Sequence, residues 1–392
     1  MKNYAIFFSL GALIAATACN KSSQEIYTPT TITLSEKQSV TASQIIDSYY
    51  YIPLGITSRP IGTIDQLIVN NDNIIVVDKD MAKGVFIFDR KGTLQAEICA
   101  AGRGPKEYAE LNHVSITHVD GHTVLAILDA RVRKVLLYSL DGEFIESHIL
   151  PFRIEGMEYL SNDNVLCFAA DYTSKDNFFD GRDDAGKLLY LTDSNFGIKA
   201  SIMPDRTPNR DIAYTSPYVK CHGEHITIVP PLGDTIYTIK GQELFPEYRV
   251  DLSQLAGNRA ATENMTDNQI IDAIERIPML LPDGIVDGKD FIFLPVTSPH
   301  DKGVKTFIYD KNNSIAYMLE NEGSKTSDEA RLAKMAIMGI KAVCGNEYIS
   351  YVPAYVIPMM YPDKTDNPLL PNSVDENSNP VIIFYTFKSS DA

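Results

Sequence analysis

Two stretches of this chain are copies of one another, and no other feature constrains its fold as much. Ile74 to Leu94 reads IIVVDKDMAKGVFIFDRKGTL, and Val124 to Phe144 reads VLAILDARVRKVLLYSLDGEF. Each copy is an apolar strand ending in aspartate (Asp78, Asp129), a polar turn, a second apolar strand (Val85–Phe88, Val135–Tyr138) and a turn that closes on glycine (Gly92, Gly142). The aspartates stand 51 residues apart and the glycines 50. β-Branched and aromatic residues fill the strands, and turn residues separate them. Self-similarity at this period marks a repeat architecture, in which each unit buries its apolar faces against its neighbours.

Weaker copies follow. Val165–Phe168 and Leu188–Thr192 predict a third strand pair, and Ile226–Val229 with Thr235–Ile239 a fourth, followed by Tyr248–Leu252. Phe291–Leu294 with Thr306–Tyr309 gives a fifth, and Tyr348–Val352 with Val381–Phe387 a sixth. Four strands of about six residues plus turns fit one propeller blade of about 40–50 residues. The expected fold class is therefore all-β: a six-bladed β-propeller with two short helical insertions. Tyr49–Leu54 is expected to lie beside Val381–Phe387, closing the ring and removing two exposed sheet edges. One helix is predicted to open at Thr266, with Gln269 completing a capping box and Ile271, Ile274 and Ile277 at helical spacing. The other is predicted from Ser327 to Met338, with Leu332, Met335 and Ala336 on one face. Pro358 to Pro380 is rich in Pro, Asn and Asp and reads as a long loop.

The start of the chain reads as an address. Lys2 supplies a positive charge, Tyr4 to Ala16 an apolar run, and Ala16-Thr17-Ala18 small residues directly before Cys19. That order is a secretory signal, too short and wrongly flanked for a stable membrane span. The cysteine makes it resemble a lipobox, with cleavage before Cys19 and lipid on its thiol; Ala16 stands where leucine is usual. A polar tether follows, without an aspartate next to Cys19 and without an acidic run. The expected boundaries are a signal segment over 1–18, a lipidated tether and N-terminal extension over 19–45, and the propeller over 46–392. The expected location is the cell envelope, as an outer-membrane lipoprotein attached through its lipid alone, on the periplasmic or the surface face.

A formal charge of −16 supplies no basic stripe to displace counterions, so no nucleic-acid partner is expected. Cys99, Cys167, Cys221 and Cys344 include no C-x-x-C pair, which argues against structural zinc. Cys167 sits in an apolar run and reads as a buried free thiol, and no framework of disulfides is expected.

The repeat type can be narrowed. The chain has no tryptophan and no Gly-Gly pair, so tryptophan-aspartate and kelch repeats are ruled out. Asp129, Arg133, Val135 and Gly142 are similar to the NHL repeat. Gly102-Arg103-Gly104-Pro105-Lys106-Glu107-Tyr108, after an NHL-like blade and a lipobox, resembles the six-bladed β-propeller lipoproteins of Bacteroides-type bacteria. Asn379-Pro380-Val381-Ile382 resembles that family's ending. The resemblance implies an exported lipoprotein with a propeller domain and implies no activity.

Arg103, Glu107 and Tyr108 are the candidate ligand-binding residues. They could project into the axial mouth; alternatively the loop is a structural corner, with Glu107 accepting backbone amides and Tyr108 packing between blades. His222-Gly-Glu-His225 has paired spacing, with Glu224 adding a carboxylate; on a strand the two histidines point to opposite faces, a turn could bring them together, and they read as surface histidines. The acidic run Asp176 to Asp184 lacks the alternating spacing of a calcium loop and reads as a solvated turn. No metal, cofactor or catalytic residue is assigned, because no G-x-S-x-G, Walker or H-E-x-x-H motif occurs. Tyr214, Tyr218, Tyr355 and Tyr361 lie near prolines and suit sugar or peptide contact. The leading expectation is a monomeric, non-catalytic binding or scaffold module for a glycan, peptide or envelope protein. The alternative is a propeller lyase or hydrolase. Three or more His, Asp or Glu converging at the axis would favour the enzyme, and an open tyrosine-lined mouth would favour binding.

Overall fold

The computed structural model describes residues 28–161, 163–168, 187–204, 219–222, 225–230, 233–255, 277–298, 303–322, 330–361, 374 and 377–388. The chain opens with β1 (Thr30–Thr33), β2 (Ser39–Thr41), helix α1 (Ala42–Ile45) and β3 (Ile46–Pro53). Blade one follows as β4 (Gln66–Val69), β5 (Asn73–Asp78), β6 (Gly84–Asp89) and β7 (Leu94–Ile98). Blade two is β8 (His113–Val119), β9 (His122–Asp129), β10 (Lys134–Ser139) and β11 (Phe144–Ile149). Blade three is β12 (Gly156–Ser161), β13 (Asn164–Phe168), β14 (Lys187–Thr192) and β15 (Ile198–Pro204). Blade four is β16 (Val219–His222), β17 (His225–Ile228), β18 (Thr235–Lys240) and β19 (Glu243–Asp251). Blade five is β20 (Val286–Asp287), β21 (Phe291–Ser298), β22 (Gly303–Asp310) and β23 (Ile315–Glu320). Helices α2 (Arg331–Ala336) and α3 (Val356–Met360) flank the inner strands of blade six, which is β24 (Ala342–Cys344), β25 (Glu347–Val352), β26 (Val381–Phe387) and, last, β3.

The sequence forms blades because its middle strands are apolar on both faces. Along β5, Ile74 and Val76 pack with Ile349, Ile382 and Phe384 of blade six, while Ile75 and Val77 pack with Leu125, Ile127 and Leu136 of blade two. The alternation continues around the ring. Ala126 and Leu128 meet Val165 and Cys167, and Leu166 and Phe168 meet Ile226 and Ile228. Ile236 and Val250 meet Ile292 and Phe307, and Phe293 and Ile308 meet Tyr348 and Ile383. Alternate side chains of a strand point to opposite faces, so a continuous apolar run joins two junctions at once. Outer strands cover one junction less, and β11 is mostly exposed.

Closure is as the sequence predicts: β3 pairs antiparallel with β26, Tyr49 opposite Tyr385 and Pro53 opposite Val381. Asn379 latches the approach, its Oδ1 accepting from the Ile61 amide at 3.0 Å and its Nδ2 donating to Gly55 O at 2.6 Å. The extension, however, is more than a tether. β1 joins β19 in parallel and β2 joins β23 in parallel, as fifth strands of blades four and five. Ile32 and Leu34 are buried at the junction of those blades. The propeller therefore begins well before residue 46, because the chain covers two open sheet edges on its way to close the ring.

The repeat aspartates explain the repeat. Asp78 is fully buried; its Oδ2 accepts from Gly62 N and Thr63 N, and its Oδ1 from Met81 N and Ala82 N. Asp129 serves Ala109 N, Glu110 N and Val132 N in the same way. Each carboxylate thus ties a tight turn to the segment that enters its blade. Gly92 and Gly142 have φ of +82° and +83°, the left-handed region that glycine adopts without steric cost.

The helices depart from expectation in part. The one predicted from Thr266 lies outside the described residues. The one predicted over 327–338 appears as α2, with Leu332 and Ala336 buried and Met335 packed beside them. Pro358, expected to open a loop, lies in α3 instead; proline is tolerated in a first helical turn, where its missing N–H has no partner to lose.

Candidate functional site: the axial channel

The innermost strands leave a channel of about 1010 Å³ along the axis. These strands carry polar side chains on the water-facing side. At one end lie Asp65, Asp283 and Lys341, which precede inner strands, Lys220 within β16, and Lys79, which follows β5. At the other end the wall carries Asn70, Asn71, His118, Thr123, Ser161 and Asn164.

The charged end is built around one carboxylate. Asp283 meets Lys220 Nζ at 3.4 Å and Lys341 Nζ at 3.4 Å, and Lys220 also donates to the Asp283 carbonyl. Burial works against the ionised Asp283, but the two ammonium groups outweigh it and hold its pKa below the ordinary carboxylate value. Burial pulls Lys220 below the usual lysine range, with Asp283 opposing. Lys79 is also lowered, first by burial, against the pull of Asp65 and Asp283. Two cations on one carboxylate leave a net positive charge, in a chain that is acidic overall.

Midway along the wall, Glu158 accepts from Ser115 Oγ at 2.9 Å and meets His113 Nε2 at 3.0 Å. All three are buried. Here the carboxylate sits between hydroxyl and imidazole. A serine nucleophile needs the imidazole next to its hydroxyl, so this group fixes the wall and does not activate Ser115.

The heptapeptide loop is a corner. Glu107 Oε2 accepts from Gly104 N at 2.7 Å, and Lys134 Nζ donates to the Glu107 carbonyl. Tyr108 is buried and donates to Lys83 O at 2.7 Å, and burial pushes its phenol above the ordinary range. Arg103 stays exposed. None of the three lines the channel. Neither Gly102 nor Gly104 has a positive φ. A Cβ on Gly102 would stand 2.0 Å from Glu107 Oε2, so that glycine makes room for the carboxylate.

Among the described residues the channel wall is not tyrosine-lined. Tyr159 lines the channel, but Tyr355 is exposed and Tyr361 buried away from it, and Tyr214 and Tyr218 lie outside the described residues, as does the acidic run at 176–184. Nor do three metal-ligating groups converge at the axis among the described residues; the cluster that does form, His225 with Glu247 and Asp287, is at a blade junction. Cys99, Cys167, Cys221 and Cys344 form no disulfide among the described residues, and Cys167 is buried. The lysines escaped sequence reading because Lys220 stands within, and Lys341 just ahead of, a short inner strand with no apolar run to mark it. The signal was their position just ahead of or within a strand that opens a blade.

A family model described as Domain of unknown function (DUF4934) matches residues 29–386. No curated protein matches the chain. Among solved structures, the "Putative exported protein" of Bacteroides fragilis NCTC 9343 is 18% identical, with a TM-score of 0.71 over 92% of this chain and 100% of that one. A member of the DUF4221 family from Bacteroides vulgatus ATCC 8482 is 10% identical, with a TM-score of 0.50 over 90% of this chain and 99% of that one. At these identities the likeness shows the shared propeller fold.

Proposed function

From the premise that the chain belongs to the DUF4934 family, we propose that it is an exported, lipid-anchored binding protein whose axial channel takes an acidic glycan. The observation that carries the ligand class is Lys220 and Lys341 sharing Asp283 inside a polar channel. A uronate carboxylate supplies the missing negative charge, and charge-assisted hydrogen bonds are the strong ones. The Asn, Ser and Thr side chains at the far end offer donors and acceptors to sugar hydroxyls. The role is binding without catalysis, since Ser115 is turned to Glu158 and the wall group is saturated. Lys2, the apolar run and Ala16-Thr17-Ala18-Cys19 support export and anchoring, and the likeness to the "Putative exported protein" of B. fragilis agrees with export. The lipid is the membrane attachment, and the domain works as a monomer without nucleic acid.

Two measurements test this reading. Cys19→Ala should abolish incorporation of labelled fatty acid and release the protein from the membrane fraction; a variant that still incorporates label contradicts the anchor. Calorimetric titration of the mature domain should show saturable binding of a galacturonate oligomer and none of a neutral glucan oligomer. Lys220→Met and Lys341→Met should each weaken binding by about tenfold or more, the loss expected for a charge-assisted hydrogen bond. Equal binding of the neutral oligomer, or variants that bind like the parent, would overturn it. Preference for an acidic peptide would overturn the glycan class.

A further inference from the structure

The junction of blades four and five holds a second group of ionisable side chains, none of which lines the channel. His225 begins β17 and Glu247 lies in β19, both in blade four, and Asp287 ends β20 in blade five. His225 Nε2 stands 2.9 Å from Asp287 Oδ2. One ligand atom from each of the three residues lies within 4.8 Å of the others. The Asp287 side chain is wholly buried, and Lys311 Nζ meets its other oxygen at 2.6 Å. Glu247 Oε2 is buried too and has no hydrogen-bond partner among the described residues.

A buried carboxylate oxygen without a partner is costly. Neither His225 nor Lys311 donates to it in this structure. The Nε2 of His225 is occupied by Asp287, and the Lys311 ammonium is held by Asp287 with the Tyr248 ring nearby at 5.7 Å. A cation at the centre would take a lone pair from all three groups at once. We propose that His225, Glu247 and Asp287 form a zinc site that ties blade four to blade five.

One imidazole nitrogen with two carboxylates suits zinc, whereas calcium and magnesium take oxygen ligands alone. Zinc bonds of about 2.0–2.2 Å place tetrahedral ligand atoms roughly 3.3 Å apart. The His225–Asp287 pair, at 2.9 Å, has to open by a few tenths of an ångström, and side-chain rotation of Glu247 covers the rest. His225 Nε2 gives up its hydrogen bond and donates its lone pair, the imidazole proton then residing on Nδ1. Lys311 keeps Asp287 Oδ1 and leaves Oδ2 to the metal, the arrangement in which an outer partner orients a ligand. His225 is 37% exposed at its side chain, which gives the ion a way in and leaves the fourth position to water.

The test uses the untagged mature domain dialysed against zinc and then against zinc-free buffer. One zinc per chain is expected by elemental analysis, together with a higher melting temperature than in chelator. Cobalt(II) in its place should give a tetrahedral visible spectrum without a near-ultraviolet thiolate band, which separates this site from the free cysteines. His225→Ala and Glu247→Gln should each lower zinc affinity at least tenfold and lose the zinc-dependent rise in melting. In chelator, Glu247→Gln should melt close to the parent, showing that the variant folds. No zinc retained by the parent, zinc retained equally by both variants, or a thiolate band would overturn the site. None of these outcomes bears on the channel lysines.

Discussion

Removal of the chain after Pro380 is expected to unfold the whole domain. The deletion takes away β26, in which Val381, Ile382, Ile383, Phe384 and Tyr385 are each no more than 1% exposed. Val381, Ile383 and Tyr385 belong to the junction with blade five, and Ile382 and Phe384 to the junction with blade one. Full burial of one such side chain is worth about 1.5–3 kcal/mol, so the strand contributes on the order of 10 kcal/mol. That rivals the total stability of about 5–15 kcal/mol typical of a folded protein. The loss also strands β3, whose antiparallel partner is gone, and frees the Tyr385 hydroxyl's partners Ser350 and Ala333 O. The truncated protein should aggregate or be cut by protease in every blade, with no cooperative melt. Ile149→Ala, at a side chain 68% exposed on the outer strand of blade two, should melt within about 0.5 kcal/mol of the parent, as surface substitutions do. A truncation that melts like the parent would show that the ring is not closed by this strand.

The second large effect is expected at the repeat aspartate. Asp78→Ala removes the acceptor for four backbone amides, two in its own turn and two in the segment entering blade one. Leaving a buried donor unpaired costs about 1–3 kcal/mol. Some of these amides reach water, so the expected destabilisation is about 2–4 kcal/mol by urea denaturation. Asp78→Asn keeps one acceptor oxygen and turns an NH2 group toward the remaining donors, so it should lose about half as much. Asp129→Ala should behave like Asp78→Ala, because its carboxylate serves the equivalent turn of blade two. If Asp78→Ala denatures with the parent, the carboxylate is not the tie between turn and blade.

The parts of the fold legible in the sequence are those that water does not touch. The second and third strands of each blade face a neighbour on both sides, so they read as unbroken apolar runs such as Ile74–Val77 and Val85–Phe88. Their period exposed the propeller, and the run Val381–Phe387 exposed its closure. Inner strands face the channel and cannot be apolar throughout. Gln66–Val69, Val219–His222 and Ala342–Cys344 are too short and mixed to stand out, and the lysines went unread with them. β1 and β2 were missed for a related reason: an edge strand such as Thr30–Thr33 is mostly exposed and looks like a polar tether. The heptapeptide at 102–108 drew attention as a motif because a corner between blades demands particular residues, and those demands proved to be geometric. The grouping of His225 with Asp287 and Glu247 joins positions on two blades, and no local spacing encodes it.

The central claim is that ligand enters the axial channel and meets the lysines at its charged end. A crystal structure of the mature domain with a bound galacturonate oligomer tests it most directly. The account predicts the oligomer along the channel, with one carboxylate between the Lys220 and Lys341 ammonium groups and its hydroxyls toward Asn70, Ser161 and Asn164. An oligomer seated on the outer strands or between blades, with the channel holding water alone, would contradict it.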